Sequence, residues 1–242
     1  MIRTLVSLTL RALLNRRRTL LLGLLGALIV VVAAVYRLGA PGTQESGDFT
    51  GRLLANFGVA VLVPLVAVII GTAALGSELD DGTIVYLLAK PVPRPLIVLV
   101  KLLVAWAVTG LLVAVPILLA GVVGSGGDWE LGIGYGLAAL LGAAEYAAVF
   151  LALSLVTSRA LVIGLAYVVV WEGVVAGLFA GTRIFSVRQH VLAVADALTG
   201  EGGVPAELAF GTSLLVGGLV TAAAIVLAVR RLSRVELRGE TS

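Results

Sequence analysis

No cysteine occurs in the chain, which excludes disulfides, thiolate metal sites and thiol nucleophiles and leaves the redox compartment unmarked. Histidine occurs once, as His190, which argues against His-rich metal sites and His-based proton relays. Lysine is confined to Lys90 and Lys101, and the remaining basic residues are all arginine. Neither lysine is followed by Ser or Thr, so the nucleotide-binding pattern G-x-x-x-x-G-K-[ST] is missing. No G-x-S-x-G nucleophile elbow is present, so no catalytic residue and no metal ligand is assigned. Charge itself is scarce: 13% of residues are charged, where a soluble domain carries about a quarter.

What remains is apolar. The chain is 60% hydrophobic, with a mean hydropathy of +1.13 over 242 residues, too little polar surface to face water all round. About 20 apolar residues cross a bilayer as a helix. Six stretches qualify: about 19–36, 57–76, 95–123, 132–157, 160–181 and 209–229. Their runs are too long and continuous for barrel strands. The expectation is an all-α polytopic membrane protein, residues 1–242 forming a single transmembrane domain.

Orientation follows from Lys and Arg. With both termini inside, the inner segments hold Arg3, Arg11, Arg16, Arg17, Arg18, Lys90, Arg94, Lys101, Arg159, Arg230, Arg231, Arg234 and Arg238. The outer side holds only Arg37, Arg52, Arg183 and Arg188. The net charge of +3 therefore fits membrane orientation, not nucleic acid. Lys101 lies a turn or two inside the third span and is expected to snorkel to the headgroups. Pro64 and Pro116 are candidate kinks. Trp129 marks the outer interface, while Trp106 and Trp171 carry less information.

Two helices outside the spans are expected. Over residues 1–18, Arg3/Thr4, Ser7, Arg11, Asn15 and Arg18 form one polar stripe, the pattern of a helix lying in the inner interface. A twin-arginine-like signal at NRRRTLLLGLLG is the competing reading, but five further spans follow. Between spans 5 and 6, Ile184, Val187, Val191, Val194/Ala195 and Leu198 recur at helical spacing. They predict a short amphipathic helix on the outer side, dipping at most into the outer leaflet, with His190 as one of its residues. GEGGVP at 200–205 then breaks it.

The segment between spans 2 and 3, SELDDGTIVYLLAKPVPR at 77–94, is polar and sharply punctuated. Ser77 with Asp80 resembles a capping box, and Glu78, Asp80 and Asp81 would suit a helix N-terminus. Gly82 permits a break, Thr83 can cap a short helix Ile84–Ala89, and Pro91 ends it. Pro93 and Pro95 stiffen the start of span 3. A well-capped hairpin and a docking site for a cytosolic partner both fit.

The pattern E-x-x-x-G-T-x-x-x-L-L-x-K-P-V-x-R, here Glu78, Gly82, Thr83, Leu87, Leu88, Lys90, Pro91, Val92 and Arg94, followed by Lys101, resembles the signature of ABC-2 type transporter permeases. The six-span layout agrees along the whole chain. The resemblance implies that the 77–94 segment is a coupling helix docking on a separate cytosolic ATPase subunit, with Glu78, Asp80, Asp81, Gly82, Thr83, Leu87, Lys90, Pro91 and Arg94 at the contact. It further implies two permease copies, homo- or heterodimeric, in a bacterial inner membrane. ATP and Mg would be bound by the partner and no cofactor by this chain. The substrate class stays open between lipids, amphiphilic drugs and peptides.

Two carboxylates fall near mid-depth, Glu145 in span 4 and Glu172 in span 5. Each must face protein or a wet cavity, or be protonated. They fit a polar lining of the translocation path, a pair sharing a proton, or hydrogen-bonded structural acids. Gly173, Gly177 and Gly181 beside Glu172 allow close helix packing, within the chain or across a dimer. A stand-alone ion-coupled carrier or channel using Glu145 and Glu172, and a non-transporting membrane anchor, are the rival functions.

Overall fold

The computed structural model describes residues 2–14, 16–39, 43–84, 92–200 and 204–234. Regular structure among them is helical throughout. Two short helical pieces precede and follow the first span, α1 (Ile2–Leu13) and α3 (Thr43–Leu53), with α2 (Arg16–Gly39) between them. A π-helical segment, Leu54–Leu62, continues α3 into α4 (Val63–Asp80). Then come α5 (Arg94–Gly124), α6 (Trp129–Ser154) and α7 (Ala160–Ala166). A second π segment, Tyr167–Val175, joins α7 to the short α8 (Ala176–Leu178). A 3-10 turn, Ala180–Phe185, leads into α9 (Val187–Thr199), and α10 (Phe210–Ser233) ends the described fold.

Among the described residues, six helices are long and apolar enough to cross a membrane: Arg17–Gly39, Glu45–Asp80, Arg94–Gly124, Trp129–Ser154, Ala160–Leu178 and Phe210–Ser233. The six expected spans are all there. The second is far longer than the expected 57–76, about 54 Å at a helical rise against a hydrocarbon core of about 30 Å. Its polar start is accommodated by protein: Ser46 and Thr50 are fully buried, and Tyr36 of α2 stacks on Phe49 with ring centroids 3.6 Å apart.

Pro64 acts through hydrogen-bond register. In a regular α-helix it would leave the Ala60 carbonyl unpaired and press its ring on that oxygen. The π segment ends immediately before it, with the Val63 amide donating to the Gly58 carbonyl five residues back. Pro116 is packed differently. It lies inside α5, and Gly26 of α2 lets the ring come so close that a Cβ there would stand 2.8 Å from Pro116 Cγ.

The middle of the molecule is α4, α5 and α6, which are mostly buried; α2, the fifth span and α10 lie at the periphery and expose leucine and valine along their length. Such peripheral apolar surface is what a bilayer accepts. The α5 and α6 backbones also come very close, such that a Cβ on Gly121 would stand 2.5 Å from Gly132 Cα.

Two expectations are corrected here. The N-terminal helix does not run through residue 18. It stops at Leu13, and Arg18 folds back from α2 so that its Nη2 donates to the carbonyls of Ala12 (3.1 Å) and Leu13 (2.5 Å), capping the helix end. Ser7 and Arg11 are exposed, as their stripe predicts, while the side chains of Arg3, Thr4 and Asn15 lie outside those described. The helix between spans 5 and 6 exists as α9, but it is not superficial. Val187, Val191, Val194 and Ala195 are buried, and α9 is wedged between α6 and α10. Gly134 of α6 meets Thr199, Gly142 meets Val191, and Glu145 meets His190. From Trp129, α9 thus descends along α6 to a depth of about 24 Å.

Candidate functional site

At the end of α4, the acidic turn is mounted differently from its sequence pattern. Ser77 does not cap a helix; its Oγ donates to the Ala73 carbonyl within α4 at 2.8 Å. The helix continues to Asp80, so Glu78, Asp80 and Asp81 stand at a C-terminus, where the macrodipole disfavours acids. The compensation comes from α5. Lys101 does not snorkel outward: its ammonium is buried, bonds Glu78 Oε1 at 2.5 Å and donates to the Ala74 carbonyl at 2.9 Å. Among the described side chains, Glu78 Oε2 is buried without a partner.

Past this clamp the chain turns sharply. Gly82 has φ +67, which a side chain would strain. Asp80, Asp81, Gly82 and Thr83 are exposed, and Ile84 is tucked back into the core. Thr83 Oγ1 faces the Glu78 carbonyl at 3.5 Å. Leu87, Lys90 and Pro91, with the rest of the expected helix Ile84–Ala89, lie outside the described residues. On the far side Pro93 precedes α5 and Pro95 sits in its first turn, as expected. Arg94 Nη1 donates to the Leu232 carbonyl of α10 at 2.5 Å, tying the start of α5 to the last span.

The second polar centre lies at mid-depth. Glu172 occupies the π segment of the fifth span. The i→i+5 register brings Tyr167 onto the same face, and its hydroxyl donates to Glu172 Oε1 at 3.1 Å. The N-terminus of α9 completes the cradle: the Val187 amide donates to Oε1 at 2.9 Å, and the Ser186 hydroxyl donates to Oε2. The same Ser186 oxygen accepts from the Gln189 amide as the cap of α9. Three donors and a helix N-terminus satisfy the carboxylate oxygens. This offsets the roughly 2.5–3.5 kcal/mol that an acid costs at the centre of a spanning helix.

Glu145 has a different partner from those of Glu172. It meets His190, whose Nδ1 lies 3.0 and 3.2 Å from its two carboxylate oxygens. The lone histidine, expected as an unremarkable outer residue, is fully buried. The Tyr146 hydroxyl is buried beside both carboxylates. No group of three or more His, Cys, Asp or Glu suited to a metal ion occurs among the described residues.

The expected glycine row is broken: Gly173 and Gly177 lie on the fifth span, but the helix ends at Leu178 and Gly181 falls in the 3-10 turn beyond it. Gly173, Gly177 and Gly181 are exposed, and a Cβ on Gly177 or Gly181 would meet nothing within 4 Å. Within one chain these glycines bring no second helix close.

Among the described residues, six apolar helices, peripheral faces of leucine and valine, and charged groups kept to the ends and one buried cluster define a multi-pass membrane protein. Residues 14–189 match the family described as ABC-2 family transporter protein, and the chain belongs to that family. Its members are transmembrane components that work with an ATP-binding subunit, usually as dimers. No curated protein matches the chain.

Proposed function

We propose that this chain is the permease subunit that couples ATP hydrolysis on a separate cytosolic subunit to export of a substrate. The observation that carries the reading is the exposed acidic turn Asp80–Thr83 on a rigid mount. Glu78 and Lys101 fasten its base, so force applied to the turn passes into α4 and α5 together. The acids face a basic groove of the ATPase, which binds ATP and Mg. The arginine distribution supports a cytoplasmic side for this turn and both termini, and the reading sets the spans in the inner membrane of a bacterial cell. A second copy packs against the peripheral spans. The stand-alone carrier reading relies on Glu145 and Glu172, but both are bound to protein donors and closed to solvent.

The test is a mild-detergent pull-down of the tagged chain with mass spectrometry and an ATPase assay. The expected result is a stoichiometric partner bearing a Walker motif, lost when Asp80 and Asp81 become lysine. A chain that purifies alone, without ATPase activity and with transport intact, overturns the reading. Asp80 and Asp81 serve better than Glu78 because Glu78 also holds Lys101.

A further inference from the structure

The Glu145–His190 contact has a defined proton content. His190 Nε2 stands 2.8 Å from the Ile184 carbonyl. A carbonyl only accepts, so Nε2 carries a hydrogen. The other nitrogen, Nδ1, faces two carboxylate oxygens. A hydrogen bond there needs one further proton between ring and carboxylate. Without it, a ring lone pair would face an anion at 3.0 Å in a site closed to water.

The surroundings place that proton on the ring. Glu145 and Tyr146 face the site from α6, and Glu172 and Tyr167 from the fifth span. Two carboxylates beside one imidazole favour imidazolium. From α10 Gly217 comes close, and that helix brings no titratable side chain to the site. The π segment Leu54–Leu62 brings none either. On α9 itself, Arg188 reaches away to Asn56 Oδ1 at 3.4 Å, and Asp196 accepts from the Ala206 amide. Burial works against a charged ring, but the Glu145 hydrogen bond and charge outweigh it and hold His190 above the usual histidine range.

We propose that Glu145 and His190 form a buried one-proton site that fastens the inner turn of α9 to α6, and that loss of this proton to bulk water loosens α9. The site is built for this. His190 lies in the first turn of α9, next to the Ser186 and Val187 groups that hold Glu172, so one short stretch anchors both carboxylates. A Cβ on Gly217 would stand 2.9 Å from Glu145 Oε2, so α10 closes over the pair without room to spare. Deprotonation would set like against like under that lid and push α9 away from α6. The proposal concerns a proton and this chain alone, and it stands or falls separately from ATPase coupling.

Because His190 is the only histidine, its ring nitrogens can be observed singly. The experiment uses the full chain, carrying a tag without histidine, labelled with 15N-histidine and held in lipid nanodiscs. Nitrogen shifts are followed against pH. The expected result is an imidazolium at pH 7 that loses its proton above the normal histidine range. In Glu145→Gln, whose amide can donate to a neutral Nδ1, the midpoint should fall by about one pH unit or more. A wild-type ring that is neutral at pH 7, or a midpoint unmoved in the variant, overturns the proposal. The first outcome needs no variant to fold. In parallel, hydrogen exchange of 187–199, normalised to α5, should rise across the wild-type midpoint. Unchanged exchange there would overturn the fastening role.

Discussion

Lys101 of α5 and Glu78 of α4 are joined at 2.5 Å, with the lysine side chain 2% exposed and the glutamate 29% exposed. That asymmetry makes a prediction. Removing the carboxylate strands a fully buried ammonium with only the Ala74 carbonyl, whereas removing the ammonium leaves an acid on a partly exposed side chain, whose buried Oε2 can turn to water by a change of rotamer. Stranding one member of a buried pair costs about 3–5 kcal/mol, less where the partner is partly wet. Glu78→Ala should therefore destabilise the chain more than Lys101→Met. Thermal unfolding of the two purified variants in one detergent decides it; an equal or reversed order would mean that Lys101 is wetter than the fold shows.

The six spans were legible in the sequence because crossing a bilayer depends on length and apolarity, which a one-dimensional pattern carries. The partners of the polar residues were not. Lys101 reads as a snorkelling lysine because depth can be counted along a helix, but Glu78, 23 positions away, cannot be placed opposite it by counting. The acids at 78–81 suggest a helix start, yet α4 runs through them because Lys101 supplies the counter-charge. The apolar stripe of α9 is equally suited to a lipid surface and to a cleft between helices. Periodicity does not separate the two, and that hid His190. The one available signal was chemical: two acids and one imidazole in an apolar chain each need a partner. The π registers left no mark apart from Pro64.

Gly217 offers a paired test of the lid over the buried site. Valine at 217 would drive a methyl into Glu145 Oε2 and His190 Nδ1, whereas Gly218, one position on, is exposed with nothing within 4 Å. Overpacking of this kind costs about 1–3 kcal/mol. Gly217→Val should lower the unfolding midpoint and Gly218→Val should leave it in place. Comparable losses would point to intrinsic helix effects instead of contact with the pair.

Charge reversal on the exposed turn should uncouple without unfolding. Asp80 and Asp81 make no contact that holds α4 to α5, and surface substitutions usually change stability by less than about 0.5 kcal/mol. Asp80→Lys with Asp81→Lys should insert and purify as wild type while stimulated ATPase activity falls at least about tenfold, the loss of about 1.4 kcal/mol of docking energy. Full stimulation in the double variant would move the docking surface away from this turn.

The fifth span supplies the last prediction. Gly177 is exposed on the outer face of one chain, and Ala176, its neighbour, is 1% exposed and faces the protein. Gly173 and Gly177 bring no helix close within the chain and so leave room for one from a second copy, since small residues let backbones approach. The chain contains no cysteine, so any single cysteine reports on its own position without background. In native membranes, Gly177→Cys should form a disulfide-linked dimer under mild oxidation, because a cross-link requires Cα atoms within about 7 Å. Ala176→Cys, turned inward, should remain monomeric. Cross-linking at neither position would place the second copy on α2 or α10, the other peripheral spans. Equal cross-linking at both would indicate random collision, since Ala176 can reach a second chain only if the fifth span leaves its place.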